Sequence, residues 1–215
     1  MVMVSDVLRV LVGSRAHGLE TPDSDWDYRS VFVVPTDEIF KIGGYTGSDV
    51  RWVEHGKART DDDTGWEVGK FLFLATKSNP TILEVFKAPV IESSNWGLEM
   101  RELFPHVWSS QAVRDAFIGY GLNQRKKFLD EKDNRSPKYA VAYLRTLYNA
   151  VEILTTGDFT IRVADLEIGT TLSKWKAGEY TVGEVIDTCF HWQKSVEEAY
   201  DRAPIKQTNL RPIND

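Results

Sequence analysis

The fold is decided by residues 7–35, VLRVLVGSRAHGLETPDSDWDYRSVFVVP. Residues 7–12 are apolar and rich in β-branched side chains, which predicts a buried strand that stops at a glycine. Residues 28–34 predict a second strand, which ends before a proline. Between the two strands lie a Gly13-Ser14 turn and the sequence Asp25-Trp26-Asp27.

The turn and the two aspartates have the chemistry of a nucleotide site. A Gly13-Ser14 turn exposes backbone N–H groups that suit phosphate oxygens. Asp25 and Asp27 start an extended segment, so both carboxylates leave the same face. They repel each other unless a cation lies between them, and Mg²⁺, with Mn²⁺ as an alternative, prefers carboxylate and phosphate oxygens. The alternative, an Asp-rich structural turn formed by Asp23 and Ser24, leaves the paired carboxylates unexplained.

These residues resemble the DNA polymerase beta-like nucleotidyltransferase superfamily. Gly-Ser at 13–14, followed by Asp-x-Asp at 25–27 on the next strand, carries the resemblance. The longer strings at 13–19 and 23–29 are similar to one branch, the RNA-repair-associated predicted nucleotidyltransferases (RlaP-like), and so is Asn-Pro followed by Leu-Glu within 79–84. The resemblance implies an α/β nucleotidyltransferase fold with a small mixed sheet, followed by an α-helical domain.

The resemblance also implies a metal site with a third carboxylate from a later strand. Asp25 and Asp27 would bind two ions. Asp62 fits the third position best, four residues before Trp66, while Asp61, Asp63 and Glu67 stay open. Glu67 is discounted because it completes a capping box with Thr64.

Four cationic side chains are predicted to contact the nucleotide. They are Arg15, Arg29, Lys138 and Arg145. Arg15 and Arg29 flank the aspartates, and the alternative is that each pairs with a neighbouring Asp. Lys138 and Arg145 are seven residues apart, within about 20° on one helix, and the branch resembles this sequence at both positions.

Basic residues cluster around that helix. Residues 125–145 contain seven Lys or Arg and three Asp or Glu. The segment Arg125-Lys126-Lys127 is interpreted as a solvated helix face. His17, between the Gly-Ser turn and the Asp pair, is interpreted as a polar loop histidine.

Composition narrows the class of protein. The chain has 215 residues, 42% of them hydrophobic, and a net charge of −6, which argues against sequence-independent binding of duplexes. Cys189 is its one cysteine, so a disulfide framework is excluded and a reducing compartment is indicated. No stretch reaches membrane-spanning length, and a cytoplasmic location without membrane contact is expected.

Local signals predict the remaining elements. A hairpin is expected within 50–62 and a short strand at 90–91. Helices are expected at 65–77, from Pro80 after an Asn79 cap, at 96–104, at 110–130, at 136–157 and from Thr181. The change to an all-helical pattern predicts a catalytic domain over 1–105 and a helical domain over 106–215 that closes over the nucleotide.

The expected function is Mg²⁺-dependent transfer of a nucleoside monophosphate from an NTP to an acceptor hydroxyl, with an RNA or DNA end as the leading acceptor. One alternative is nucleotidylation of a protein side chain. The other is a nucleotide-binding regulatory protein with little catalysis, which would have no need for two mutually repelling carboxylates.

Overall fold

The structure is a computed structural model. It describes residues 5–36, 40, 57–60, 63–204 and 206–214, with the backbone alone at 57–60 and 63. The strands in these ranges are β1 Ser5–Val12, β2 Asp27–Val33, β3 Lys57–Thr60, β4 Asp63–Glu67 and β5 Val90–Ser93. The two predicted strands of the opening stretch are confirmed as β1 and β2.

The described strands form one mixed sheet in the order β3-β4-β2-β1-β5. β2 and β4 are parallel, and the other neighbours are antiparallel. The register places Val12 opposite Asp27 and Tyr28 beside Asp63. The C-terminal end of β1 therefore meets the N-terminal ends of β2 and β4 at one edge of the sheet. We call this end of the sheet the catalytic edge, after the catalytic role predicted for Asp25 and Asp27.

Helices make up most of the remaining described chain. They are α1 Gly13–His17, α2 Val68–Thr76, α3 Pro80–Lys87, α4 Asn95–Glu102, α5 Phe104–Val107, α6 Ser110–Leu129, α7 Ser136–Thr156, α8 Gly169–Lys176, α9 Val182–Arg202 and α10 Arg211–Asn214. The predicted caps hold at two helices: the Asn79 side chain accepts from the N–H of Thr81 at 3.0 Å, and Thr181 accepts from that of Glu184 at 3.1 Å.

One predicted helix start is wrong. Thr64 lies in β4, so it does not cap a helix, and α2 begins at Val68. Glu67 is itself the N-cap, and its carboxylate accepts from the backbone N–H of Lys70 at 3.0 Å. Pairing of Gly65 and Trp66 with β2 extends the strand into the residues assigned to the helix.

Four of the described helices were not predicted: α1, α5, α8 and α10. The Gly13-Ser14 turn is the first part of α1, and α8 fills a region without an assigned element. The predicted hairpin within 50–62 differs from the one described: β3 overlaps its second arm but pairs antiparallel with β4, which lies beyond residue 62. The first arm lies outside the described residues.

The hydrophobic core is continuous from the sheet into the helical half. A row of aromatic rings illustrates this: Phe86 contacts Phe71 with centroids 5.0 Å apart and Phe104 at 6.1 Å, and Phe104 contacts Phe159 at 5.8 Å. The two halves of the chain therefore share one hydrophobic core.

Among the described residues, no helix combines the length and apolar character needed to span a membrane.

Candidate active site

Gly13 joins β1 to α1 at the catalytic edge and lies against Asp27. Its φ is +71°, a left-handed conformation in which glycine is least strained. A Cβ atom at this position would collide with Oδ2 of Asp27. The glycine thus allows the backbone of the turn to approach one of the two predicted metal ligands.

The two aspartates form no direct contact with a cation among the described residues. Asp25 is exposed and Asp27 is half-buried. Neither carboxylate forms a hydrogen bond or an ion pair with any residue in the described ranges. Carboxylate oxygens without a direct protein partner are a suitable donor set for Mg²⁺.

The structure describes only some of the candidates for the third carboxylate. Asp63 begins β4 next to Tyr28, so its backbone lies at the catalytic edge. Asp61 and Asp62 lie outside the described residues. No group of three His, Cys, Asp or Glu side chains suitable for a metal is found within the part of the chain that the structure describes, which leaves out the side chain of Asp63.

Arg15 organises the loop that carries the Asp pair. Its guanidinium donates to the carbonyl oxygen of Ser24 through Nη2 at 2.7 Å and Nε at 3.1 Å. It also lies over the exposed Trp26 ring, 4.3 Å from the ring centroid. Arg15 therefore tethers the residues just before Asp27, and no ion pair with a neighbouring Asp is formed among the described residues.

Behind the turn lies a buried charged cluster, the His17–Glu84–Arg145 triad. Nε2 of His17 is 2.7 Å from Oε1 of Glu84, and Nη1 of Arg145 is 3.7 Å from Oε2. His17 and Glu84 are 7% and 8% exposed, so the interpretation of His17 as a polar loop residue is wrong. The triad connects α1, α3 and α7.

The triad has defined protonation states. Burial lowers the pKa of His17, and Arg145 lowers it further, so the ring is neutral at pH 7 and donates its Nε2 proton to Glu84. Burial alone would raise the pKa of Glu84, but Arg145 and His17 outweigh it and lower the pKa to about 2. Glu84 is thus an ionised buried carboxylate held by two neighbours.

The predicted phosphate-binding cations occupy different surroundings. Arg145 has a side chain only 14% exposed and contacts Glu84. Arg29 donates to the carbonyl oxygen of Tyr28 at 2.7 Å and adds to the positive field at Glu84. Lys138 is exposed near the start of α7. Their contact with a nucleotide stays a prediction.

Sequence reasoning missed Glu84 and Lys176. Glu84 stands between Leu83 and Val85 in an otherwise apolar segment of α3, which is a readable signal for a buried partner. Lys176 ends α8, and its ammonium interacts electrostatically with Asp27. Nothing local in the sequence distinguishes it from other surface lysines.

Comparison with known proteins identifies the family of the chain and one relative. The chain matches the RNA repair pathway DNA polymerase beta family over residues 3–175. It is also similar to the uncharacterized protein YcgL of Bacillus subtilis (strain 168), with 28% identity over 191 residues that cover 82% of this chain and 72% of the relative. The family match spans the catalytic edge, the triad and most of the helical half.

Proposed function

Because the chain belongs to the RNA repair pathway DNA polymerase beta family, we propose that it is a Mg²⁺-dependent nucleotidyltransferase acting on a nucleic-acid end. It moves a nucleoside monophosphate from an NTP to an acceptor hydroxyl. RNA is the first acceptor to test, because the description of the matched family names an RNA repair pathway.

One observation carries the proposal: Asp27 lies against the glycine turn at the catalytic edge, and neither its carboxylate nor that of Asp25 forms a hydrogen bond or an ion pair with a described residue. Asp27 is opposite Val12 in the register, next to the start of α1. A structural role would pair these carboxylates, because like charges side by side are destabilising. Carboxylates without a direct partner are expected at a site that binds cations.

Different residues would bind the metal ions and the phosphates. Asp25 and Asp27, with Asp62 as the preferred third carboxylate, would hold the metal ions. Bound Mg²⁺ would supply positive charge to the attacking oxygen and to the departing pyrophosphate. Gly13 and Ser14 would offer backbone N–H groups to the β- and γ-phosphates.

Four cations would complete the phosphate-binding site. Arg15 and Arg29 would contact phosphate from the sheet half, and Lys138 and Arg145 from the helical half.

In the transfer, the acceptor oxygen bonds to the α-phosphorus, the bond from that phosphorus to the bridging oxygen breaks, and pyrophosphate leaves. The hydroxyl proton passes to solvent. The protein's contribution is to align the acceptor oxygen with the bond that breaks.

The test uses α-labelled NTPs with Mg²⁺ and a panel of RNA, DNA and protein acceptors. The wild-type protein should label a nucleic-acid end. Asp25→Asn and Asp27→Asn should each abolish labelling while their melting temperatures stay equal or rise, because repulsion between the carboxylates is relieved. The matched control is Asp23→Asn, an exposed carboxylate in the same loop, which should keep activity.

Two results would contradict the proposal. Near-normal transfer by both Asp25→Asn and Asp27→Asn would remove the metal-binding role. Labelling of protein acceptors with every nucleic acid left unlabelled would instead assign protein nucleotidylation.

A further inference from the structure

We propose that the Trp26 ring stacks on a base of the single-stranded RNA that accepts the nucleotide. This inference rests on the proposed function and adds an acceptor-binding residue to it. The observation behind it is a large aromatic side chain that is exposed, is held in place by the protein, and lies between the two predicted metal ligands in the sequence.

Trp26 presents an exposed ring whose position is fixed. The residue is 53% exposed, although tryptophan is largely buried on average in folded proteins. The Arg15 guanidinium lies over the ring, 4.3 Å from its centroid, and is itself held by two hydrogen bonds to the carbonyl oxygen of Ser24. The protein therefore supports one side of the ring, and the exposed part is accessible to a flat partner.

The loop that carries Trp26 is closed by its own hydrogen bonds. The backbone N–H of Ser24 donates to the carbonyl oxygen of Thr21 at 3.0 Å, and the N–H of Thr21 donates to the Ser24 hydroxyl at 2.8 Å. After Trp26 the chain enters β2 at Asp27. A ring that is already ordered loses less conformational entropy on binding a base than a mobile ring does.

The sheet separates the aromatic rings from the carboxylates. Trp26 directly precedes β2, and Asp27 and Tyr28 are the first two residues of that strand. Because successive side chains of an extended chain point to opposite faces, Trp26 and Tyr28 leave the backbone away from the Asp27 carboxylate. In the proposed site the metal ions and the triphosphate belong to the carboxylate side. A base on Trp26 therefore fits the acceptor strand better than the NTP.

A second pair of an arginine and an aromatic ring continues this surface. Arg9 of β1 lies over the Tyr28 ring, 4.1 Å from its centroid. Tyr28 is opposite Leu11 in the register, and Arg9 is two residues from Leu11, so it leaves the same face of the sheet. Two rings, each with a guanidinium over it, combine stacking surfaces with positive charge. Proteins that bind single-stranded nucleic acid without reading its sequence use this combination.

The first experiment measures binding of a short oligoadenylate RNA, with a dye on an internal nucleotide, by fluorescence anisotropy in the presence of Mg²⁺. Trp26→Ala should weaken binding roughly 10- to 100-fold, the scale of one lost stacking contact. Trp26→Phe should keep most of the affinity, because it retains an aromatic face. Trp96→Ala is the matched control: Trp96 is 75% exposed on α4, and its loss should leave binding unchanged.

Two further probes separate stacking from a structural role and from NTP binding. An RNA of the same length whose terminal nucleotides lack bases should bind the wild-type protein more weakly than the intact RNA. It should bind Trp26→Ala and the wild type equally. Calorimetry with ATP and with inorganic triphosphate, each with Mg²⁺, should give the same affinities for Trp26→Ala and the wild type.

The outcomes separate this inference from the proposed function. Wild-type RNA affinity in a folded Trp26→Ala protein would overturn the inference, and so would an equal loss in Trp96→Ala. If the wild type binds the RNA equally well with and without its terminal bases, stacking is excluded even where Trp26→Ala does not fold. Weaker binding of ATP but not of RNA by Trp26→Ala would assign the ring to the NTP and overturn its acceptor role. A wild type that binds RNA through Trp26 but transfers no nucleotide would count against the proposed function alone.

Discussion

At the scale of single residues, Gly13 meets two demands at once. From the sequence alone, the expected role of Gly13 is to let phosphate approach the backbone of the turn. The structure adds a second reason, because Oδ2 of Asp27 occupies the space that a Cβ atom would need. The backbone at Gly13 and the Asp27 carboxylate are therefore in close contact, so a side chain at position 13 would displace Asp27.

Gly13→Ala should disable the site and lower stability together. A left-handed φ of +71° costs a residue with a Cβ about 1–2 kcal/mol, and the methyl group displaces the Asp27 carboxylate. We expect transfer activity to be lost and the free energy of unfolding to fall by about 1–2 kcal/mol, measured by denaturant titration.

Gly119→Ala is the matched control for that change. Gly119 lies inside α6 with no atom within 4 Å of the added Cβ. This variant should gain about 0.5–1 kcal/mol of stability and keep full activity. A Gly13→Ala protein with wild-type activity would show that the close approach to Asp27 is not required.

At the scale of elements, Glu67 shows how a strand redefines a helix start. The sequence offers Thr64 and Glu67 as a capping box, and local chemistry alone cannot reject it. The parallel pairing of β4 with β2 draws Thr64 into the sheet and leaves Glu67 as the N-cap. Glu67 therefore caps α2, as the sequence predicted in general terms. It does so as the N-cap residue and not as the third residue of the helix.

The third carboxylate can be identified by comparing stability with activity. Glu67→Ala removes a helix cap, so it should cost about 0.5–2 kcal/mol of unfolding free energy with transfer largely retained. Asp62→Ala should abolish transfer with little change in stability, and Asp63→Ala is the comparison at the neighbouring position. If instead Glu67→Ala abolishes transfer at wild-type stability, the third ligand is Glu67.

Local chemistry accounts for the elements that the sequence predicted. Apolar runs that end at glycine or proline fixed β1 and β2, and the Asn79 and Thr181 caps placed their helices. The partners of His17 could not be predicted in the same way, since Glu84 is 67 residues away in the chain. The proximity of Lys176 to Asp27 could not be predicted either, because it depends on how α8 packs.

At the scale of the whole molecule, the triad ties the catalytic edge to the helical half. Arg145 comes from α7, Glu84 from α3 and His17 from α1. A buried ion pair contributes little net stability by itself, but removing one partner leaves a buried charge without compensation. The Lys87–Asp158 ion pair, at 2.7 Å and partly exposed, also joins the halves and serves as a comparison.

The triad should make the protein sensitive to acid in two pH windows. The pKa of His17 is lowered from 6.5 in the fold, so its stabilising contribution is complete above pH 6.5 and declines as the pH falls below that value. The pKa of Glu84 is lowered from 4.5 to about 2, so its contribution is present above pH 4.5 and is lost as the pH falls toward 2. That difference corresponds to about 3 kcal/mol.

Glu84→Gln should remove the lower window. The variant keeps the size of the side chain but leaves Arg145 buried without a counter-charge, so we expect a loss of about 3–5 kcal/mol at pH 7. Its unfolding free energy should then change much less between pH 4.5 and pH 2 than that of the wild type.

Asp158→Asn, which breaks the exposed pair, should cost about 0–1 kcal/mol and preserve the pH profile. Urea unfolding measured across this pH range tests both variants, and a Glu84→Gln profile parallel to the wild type would show that the triad does not control acid stability.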